Sequence, residues 1–146
     1  MTVLDSALEF SDAQALASLS SGATTVGTNT VDMRTGLKDT WAASKNPELG
    51  GMTWNVNVNV AMVGAGAKII AKLVTKATAS SMSSGFTLLA QMELPALSAA
   101  GTKKALTIPP GVESLRYVTT LYTASGAQLT SGTFDAWLGL DNEVYD

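Results

Sequence analysis

The sequence has no cysteine and no histidine in its 146 residues. These absences exclude disulfides, thiolate zinc sites, cysteine nucleophiles and histidine-based catalytic triads. Charged residues make up only 14% of the chain, and the net charge of −3 comes without any basic run. We therefore expect no nucleic-acid partner, because binding to a phosphate backbone depends on clustered lysine and arginine. A surface so poor in charge suggests that another molecule covers part of it.

Long apolar runs are also missing from the sequence. The first 12 residues lack the basic start and the hydrophobic stretch of a secretory signal. No segment approaches the ~20 apolar residues of a membrane-spanning helix. The sequence therefore predicts a protein that is made in a cytoplasm, has no membrane partner and stays soluble until it meets its partner.

What the sequence does contain is alternation, above all in the range 111–143. One parity there carries the apolar residues Phe134, Ala136, Leu138 and Leu140, and the other carries Thr133, Asp135, Trp137 and Asp141. Residues 114–121 alternate in the same way, and a period of two is typical of a strand with one buried face. The Gly- and Ser-rich stretch 124–132 between them predicts a turn. The C-terminal third is therefore predicted to be two long antiparallel strands.

Residues 52–62 give the clearest strand pattern. One face carries Trp54, Val56, Val58 and Val60, and the other carries Thr53, Asn55, Asn57 and Asn59. Asparagine is depleted in strands, so three on one face need an explanation. Either this face is solvated, which is the simpler interpretation, or the amides bind a neighbouring subunit.

Residues 68–77 fit two patterns. Lysines at every fourth position suit a helix, whereas the apolar residues Ile69, Ala71 and Leu73 alternate as in a strand. The preceding Gly66 and the β-branched content favour the strand. Its outward lysines would then guard the edge of a sheet.

Four more strands are predicted at residues 13–21, 28–33, 86–92 and 103–108. With the others they make about eight strands separated by turns, which is typical of an all-β, jelly-roll-like antiparallel sandwich. A chain of this length buries roughly two-thirds of its unfolded surface, enough for a two-layer core.

Two segments lie outside this pattern. Residues 1–12 are predicted to form an N-terminal arm, whose apolar residues Leu4, Leu8 and Phe10 pack on something, and residues 13–146 a single sandwich domain. Residues 34–51 are predicted to form one long loop. Trp41 in this loop either seals the loop to the sandwich or makes a contact in an assembly.

Reactive groups are few. Asp135 and Asp141 are the nearest carboxylate pair, but on one strand they would lie about 20 Å apart, too far for either glycosidase geometry. The Gly-Ala-Gly sequence at 64–66 lacks the third glycine and the βαβ context of a dinucleotide loop. We therefore expect neither an enzyme nor a bound cofactor or metal ion.

Trp137 is the most informative single residue. Alternation directs its side chain away from the core, and a large aromatic is disfavoured there unless something covers it. The cover is either the chain's own loop at 34–51 or a protein partner, for which tryptophan is a favoured anchor.

Several segments carry recognisable runs: LDSALEFSDAQA at 4–15, PPG at 109–111, LRY at 115–117, LTSG at 129–132 and FDAWLGLD at 134–141. Together they resemble the capsid cement (decoration) proteins of tailed bacteriophages. The run at 4–15 carries the most specific likeness, and the others resemble the C-terminal part of the family.

The resemblance implies a jelly-roll protein fixed to the outside of the major capsid protein shell, which it braces after the shell expands. It also implies symmetric oligomers, with a dimer as the first expectation and a trimer as the second. The loop at 34–51 is longer than the family pattern. The candidate partner-binding residues are Leu4, Leu8, Phe10, Trp41, Asn55, Asn57, Asn59 and Trp137. The alternative function is a carbohydrate-binding jelly-roll module on the virion surface, with Trp137 and Asp135 supplying its site.

Overall fold

The computed structural model describes residues 9–33, 49 and 51–140. Within them the chain forms nine strands and no helix, so no described segment is a helix that could cross a membrane. The strands are β1 (Glu9–Ala15), β2 (Thr24–Val26), β3 (Val31–Asp32), β4 (Met52–Val63), β5 (Lys68–Lys76), β6 (Thr87–Leu94), β7 (Lys103–Thr107), β8 (Tyr117–Ser125) and β9 (Ser131–Leu140).

The strands form two antiparallel sheets. Sheet A has the order β1-β9-β4-β7, and sheet B has the order β2-β8-β5-β6, with β3 also paired to β8. The predicted all-β antiparallel sandwich is therefore confirmed, and the strand order is compatible with a jelly roll.

The core lies between the inner faces of the two sheets. Its central residues alternate along four strands: Trp54, Val56 and Val58 of β4, Ile69, Ala71 and Leu73 of β5, Val118, Tyr122 and Ala124 of β8, and Phe134, Ala136 and Leu138 of β9. Alternation assigned the core face of β4, β5 and β9 correctly for these residues, because a half-buried strand repeats every second residue.

Two buried hydrogen bonds cross this core and join the sheets. The indole Nε1 of Trp54 donates to Thr120 Oγ1 at 3.1 Å. The hydroxyls of Ser11 and Tyr122 lie 2.7 Å apart and share a second bond. Burial raises the pKa of Tyr122, so its phenol stays protonated and can donate at physiological pH. Each polar group thus has the partner that its burial requires.

The segment with two possible patterns, residues 68–77, is a strand as predicted. However, β5 lies between β8 and β6 and is central in sheet B. The prediction that its lysines guard an edge is therefore wrong. Lys68 instead pairs with Glu93 of the neighbouring strand, with Nζ and Oε1 3.4 Å apart, and Lys76 Nζ donates to the carbonyls of Ser80 and Ser81.

β4 departs from simple alternation near its C-terminal end. Its register with β9 shifts between Val58 and Val60 and again between Val60 and Val63, which marks two irregularities of the bulge type. Val60 then pairs with Thr133, and cross-strand partners share a face. Val60 is consequently 49% exposed. Its assignment to the core face is wrong because the first bulge re-aims the side chain.

The N-terminal region also differs from the prediction. β1 begins at Glu9, so residues 9–12 of the predicted arm are part of sheet A, and the strand predicted at 13–21 ends at Ala15. Phe10 is fully buried in the core. Residues 24–26, which lie between the strands predicted at 13–21 and 28–33, form β2. Small residues obscured the alternation here, and two register shifts in β1 break its period.

One side of the sandwich is closed by hydrogen bonds between its sheets. Asn29 N donates to Phe10 O at 2.9 Å, and the Gln14 side chain donates to Val26 O at 2.9 Å and accepts from Thr28 N at 3.1 Å. The closed side is thus formed by β1, β2 and β3. The opposite, open side carries the edge strands β6 and β7, and all five residues of β7 are exposed.

Candidate functional site

The outer face of sheet A brings together several residues that the sequence singled out. Asn55, Asn57 and Asn59 extend along β4, and Asp135 and Trp137 lie beside them on β9. The register pairs Asn57 with Asp135 and Asn55 with Trp137. This polar face therefore forms because its residues are cross-strand neighbours on β4 and β9, the two central strands of sheet A.

Asp135 is the hub of a hydrogen-bond network. Its Oδ1 accepts from Ala13 N at 2.6 Å and from Asn59 Nδ2 at 2.9 Å, and its Oδ2 accepts from Asn57 Nδ2 at 3.4 Å. Ala13 has a left-handed backbone, with φ of 48°, at the register shift between Ser11 and Gln14. The carboxylate thus satisfies a backbone donor that the bulged ladder leaves without a strand partner.

A second carboxylate lies at the same face. Glu9 pairs with Trp137, and its pKa is raised by partial burial and by repulsion from Asp12 and Asp135. The folded chain therefore holds this proton more tightly than the unfolded chain does. Stability should accordingly fall as the pH rises from the ordinary value of 4.5 through the higher pKa of the folded state.

Replacing Glu9 with glutamine should raise the Tm at pH 7 and change it little at pH 4, because burial and the neighbouring carboxylates disfavour only the ionised form. Thermal melts across this range measure the Tm difference, which should grow with pH. Glu113→Gln, which removes an exposed carboxylate far along the chain, is the control and should show no such growth. A Glu9→Gln variant that is less stable at pH 7 would contradict the assigned repulsion.

Trp137 points away from the core, as alternation predicts, but it is only 4% exposed. It lies outside the cluster between the sheets, and Lys103 Nζ is 5.5 Å from its ring centroid. Asn55 beside it is 3% exposed, and its amide donates to Thr53 O. The chain itself thus covers this aromatic, so the expected contact between Trp137 and a partner has no exposed side chain to make it.

The other candidate partner-binding residues lie in different environments. Phe10 belongs to the core, and Asn57 and Asn59 use their amides within the chain, although Asn59 is exposed. Leu4, Leu8 and Trp41 lie outside the described residues. The structure brings the three asparagines together with Trp137 and separates them from Phe10, which points into the sandwich.

The most exposed large apolar side chains are elsewhere. Five such residues, all at least 39% exposed, are Val60 and Val63 of β4, Leu88 of β6, Leu97 of the β6–β7 connection and Leu106 of β7. We call them the open-side apolar residues, because none of them belongs to the closed side. Met62 N donates to Ser98 O, which places the β6–β7 connection next to the end of β4.

Comparison with known proteins gives no match to a family model and no significant match to a curated protein. Among the described residues, there is no cavity and no group of three or more side chains that could hold a metal ion.

Sequence reasoning missed the open-side apolar residues for identifiable reasons. Val60 and Val63 were concealed by the bulges of β4, which no local pattern announces. Leu106 shares a face with the core residue Trp54 but lies on an edge strand, where less of the other sheet covers it. Leu97 has a left-handed φ of 61°, and the surrounding Pro-Ala-Leu-Ser-Ala-Ala sequence gives only a general turn signal.

Proposed function

We propose that the chain is a structural virion protein that binds the outer surface of a phage major capsid protein shell and stabilises the expanded head. The proposal takes its class from the resemblance of residues 4–15 to the cement proteins. The structural observation that supports it is that the five exposed large apolar side chains of the described residues lie on β4, β6, β7 and the β6–β7 connection, and none lies on β1, β2 or β3. Contiguous exposed apolar surface marks protein interaction sites. The bond from Met62 N to Ser98 O brings Val63 and Leu97 to the same end of the sandwich.

The open-side residues Val60, Val63 and Leu97 are the proposed contacts with the shell. They replace Phe10 and Trp137, whose side chains are covered by the chain itself. Leu4 and Leu8 remain proposed contacts of the N-terminal segment. The protein is proposed to lie on the capsid exterior and to associate with itself.

Binding alone would account for the bracing. A protein that binds the assembled shell and not its separated subunits stabilises the shell by mass action. Many copies arrayed by capsid symmetry add their weak contacts through avidity. No catalytic step is needed for this role.

Heads that lack the protein should release DNA at a lower temperature than decorated heads, and adding the purified chain should restore the difference. Loss of encapsidated DNA during a temperature ramp, followed with an intercalating dye, provides the measurement. Unchanged heat resistance of undecorated heads would count decisively against bracing.

The contact surface can be tested on expanded shells by co-sedimentation. Val63→Asp and Leu97→Asp should each reduce binding at least tenfold, because either one buries an unpaired charge at the contact. Ser21→Asp, an exposed site on the turn before β2, is the matched control and should bind normally.

Deleting residues 1–8 tests the N-terminal contacts without entering β1.

A carbohydrate-binding module is not supported by any specific observation. Its two expected side chains are engaged within the chain, since Trp137 is 4% exposed and Asp135 accepts three hydrogen bonds. Structural binding therefore remains the function that the described surface supports best.

A further inference from the structure

β7 is an exposed edge strand with a regular ladder. All five of its residues are exposed, and its pairing with β4 runs from Thr53–Thr107 to Asn57–Lys103 without a register shift. The other edge of sheet A is different, because β1 carries two shifts and is hydrogen-bonded to residues 26–29. Bulges, covering segments and charged side chains protect an edge from pairing with another chain. Among the described residues β7 has neither a bulge nor a covering segment, and its only charged residues are Lys103 and Lys104.

The hydrogen bonds flanking β7 fix which backbone groups face outward. Ile108 N donates to Met52 O, and Val58 N donates to Thr102 O, each at 2.8 Å. Even-numbered residues therefore bond to β4, and alternation turns the N–H and C=O groups of Ala105 and Thr107 away from the sheet. Among the described residues, no backbone hydrogen bond outside the strand ladders uses these groups.

We propose that β7 pairs antiparallel with β7 of a second copy of this chain, about a two-fold axis at Ala105. Each Ala105 then exchanges both backbone hydrogen bonds with Ala105 of the second copy, and Thr107 lies opposite the other Lys103. Lys104 lies opposite Leu106, so its aliphatic stem covers a leucine that is 39% exposed in the single chain.

Charge and backbone chemistry select this register. An axis at Lys104 would place two lysines directly opposite each other, which is destabilising. An axis at Leu106 or Thr107 would set Pro109 against an outward-facing residue, and proline has no N–H to donate. Registers that place an odd-numbered residue opposite an even-numbered one fail, because the backbone N–H and C=O groups of the even-numbered residues already bond to β4. Sheet A of one copy and sheet A of the other would thus join edge to edge into one sheet of eight strands.

The proposal concerns the purified chain and does not depend on binding to a shell. Multi-angle light scattering should give twice the chain mass for the parent protein. Ala105→Pro removes the central donor without breaking a bond to β4, so the mass should fall to that of one chain. Ala105→Ser keeps the N–H and should remain dimeric. A parent chain that is monomeric or trimeric, or a folded Ala105→Pro variant that stays dimeric, would overturn the proposal.

Cysteine cross-linking tests the register even if the proline variant does not fold. The chain has no cysteine, so any disulfide must come from the introduced residue. Ala105→Cys should form a dimer under mild oxidation, because paired Cα atoms lie about 5.5 Å apart in such a position. Leu106→Cys, at an exposed neighbouring position, should not, because the two Leu106 positions lie opposite Lys104 and not opposite each other. Cross-linking at 106 and not at 105 would refute the axis at Ala105.

Discussion

Replacing Trp54 with alanine should lower the free energy of unfolding by about 3–5 kcal/mol, the usual cost of truncating a fully buried tryptophan. The side chain is completely buried in the centre of β4, between Leu106 and Leu138 on the neighbouring strands. Truncation would empty the middle of the core and leave Thr120 Oγ1 without its donor. Urea unfolding followed by far-UV circular dichroism measures the change, and the Tm should fall by roughly 10–20 °C.

The matched variants separate packing from hydrogen bonding. Trp54→Phe keeps most of the packed ring and removes the donor, so it should cost about 1–3 kcal/mol. Thr120→Val removes the acceptor with nearly the same shape. If the bond joins the sheets as described, the double variant should cost less than the two single losses combined, by about 0.5–3 kcal/mol. Additive losses, or a small loss for Trp54→Ala, would show that the core is organised differently.

Periodicity was sufficient to predict the part of the fold that obeys it. β4, β5 and β9 show alternation over most of their lengths, because one face of each is buried against the opposite sheet. The segment 68–77 shows the limit, since lysine spacing and strand alternation coexist in the same residues. There the apolar parity decided correctly. The position of β5 in the middle of the sheet could not be predicted, because strand order depends on pairings between distant segments.

Bulges account for the main errors. Val60 continues the apolar parity of Trp54 in the sequence but pairs with the outward-facing Thr133 in the sheet. β1 contains two shifts in seven residues, so Phe10 enters the core although its neighbours show no period. An inserted residue changes which parity is buried, and its position depends on the partner strand as much as on the local sequence.

The polar face of sheet A illustrates the same limit for the candidate site. The three asparagines were recognised as unusual on a strand, and the explanation lies partly on β9. Asp135 needs amide donors, and Asn57 and Asn59 supply them where the strands pair. Asn59 and Asp135 are 76 residues apart in the sequence. Only the strand register shows that these amide donors and this carboxylate acceptor lie side by side.

Replacing Gly126 with alanine should destabilise the fold by about 2–5 kcal/mol. The glycine has φ of 87°, a left-handed conformation that costs other residues about 1–2 kcal/mol. An added Cβ would also lie 2.5 Å from the carbonyl oxygen of Gly66, which belongs to the backbone of the adjacent β4–β5 turn. Relieving that contact requires the two turns to separate, and overpacking of this kind costs about 1–3 kcal/mol.

Gly22→Ala is the matched control for this prediction. Gly22 has a nearly identical φ of 83°, but no atom lies within 4 Å of its added Cβ. Its substitution should therefore show the backbone cost alone, and the difference between the two variants gives the cost of the contact with Gly66. Chemical denaturation of both variants provides the comparison. Equal losses would mean that the turns can separate freely, and the close approach of the β4–β5 and β8–β9 turns would then contribute nothing to the stability of this end of the sandwich.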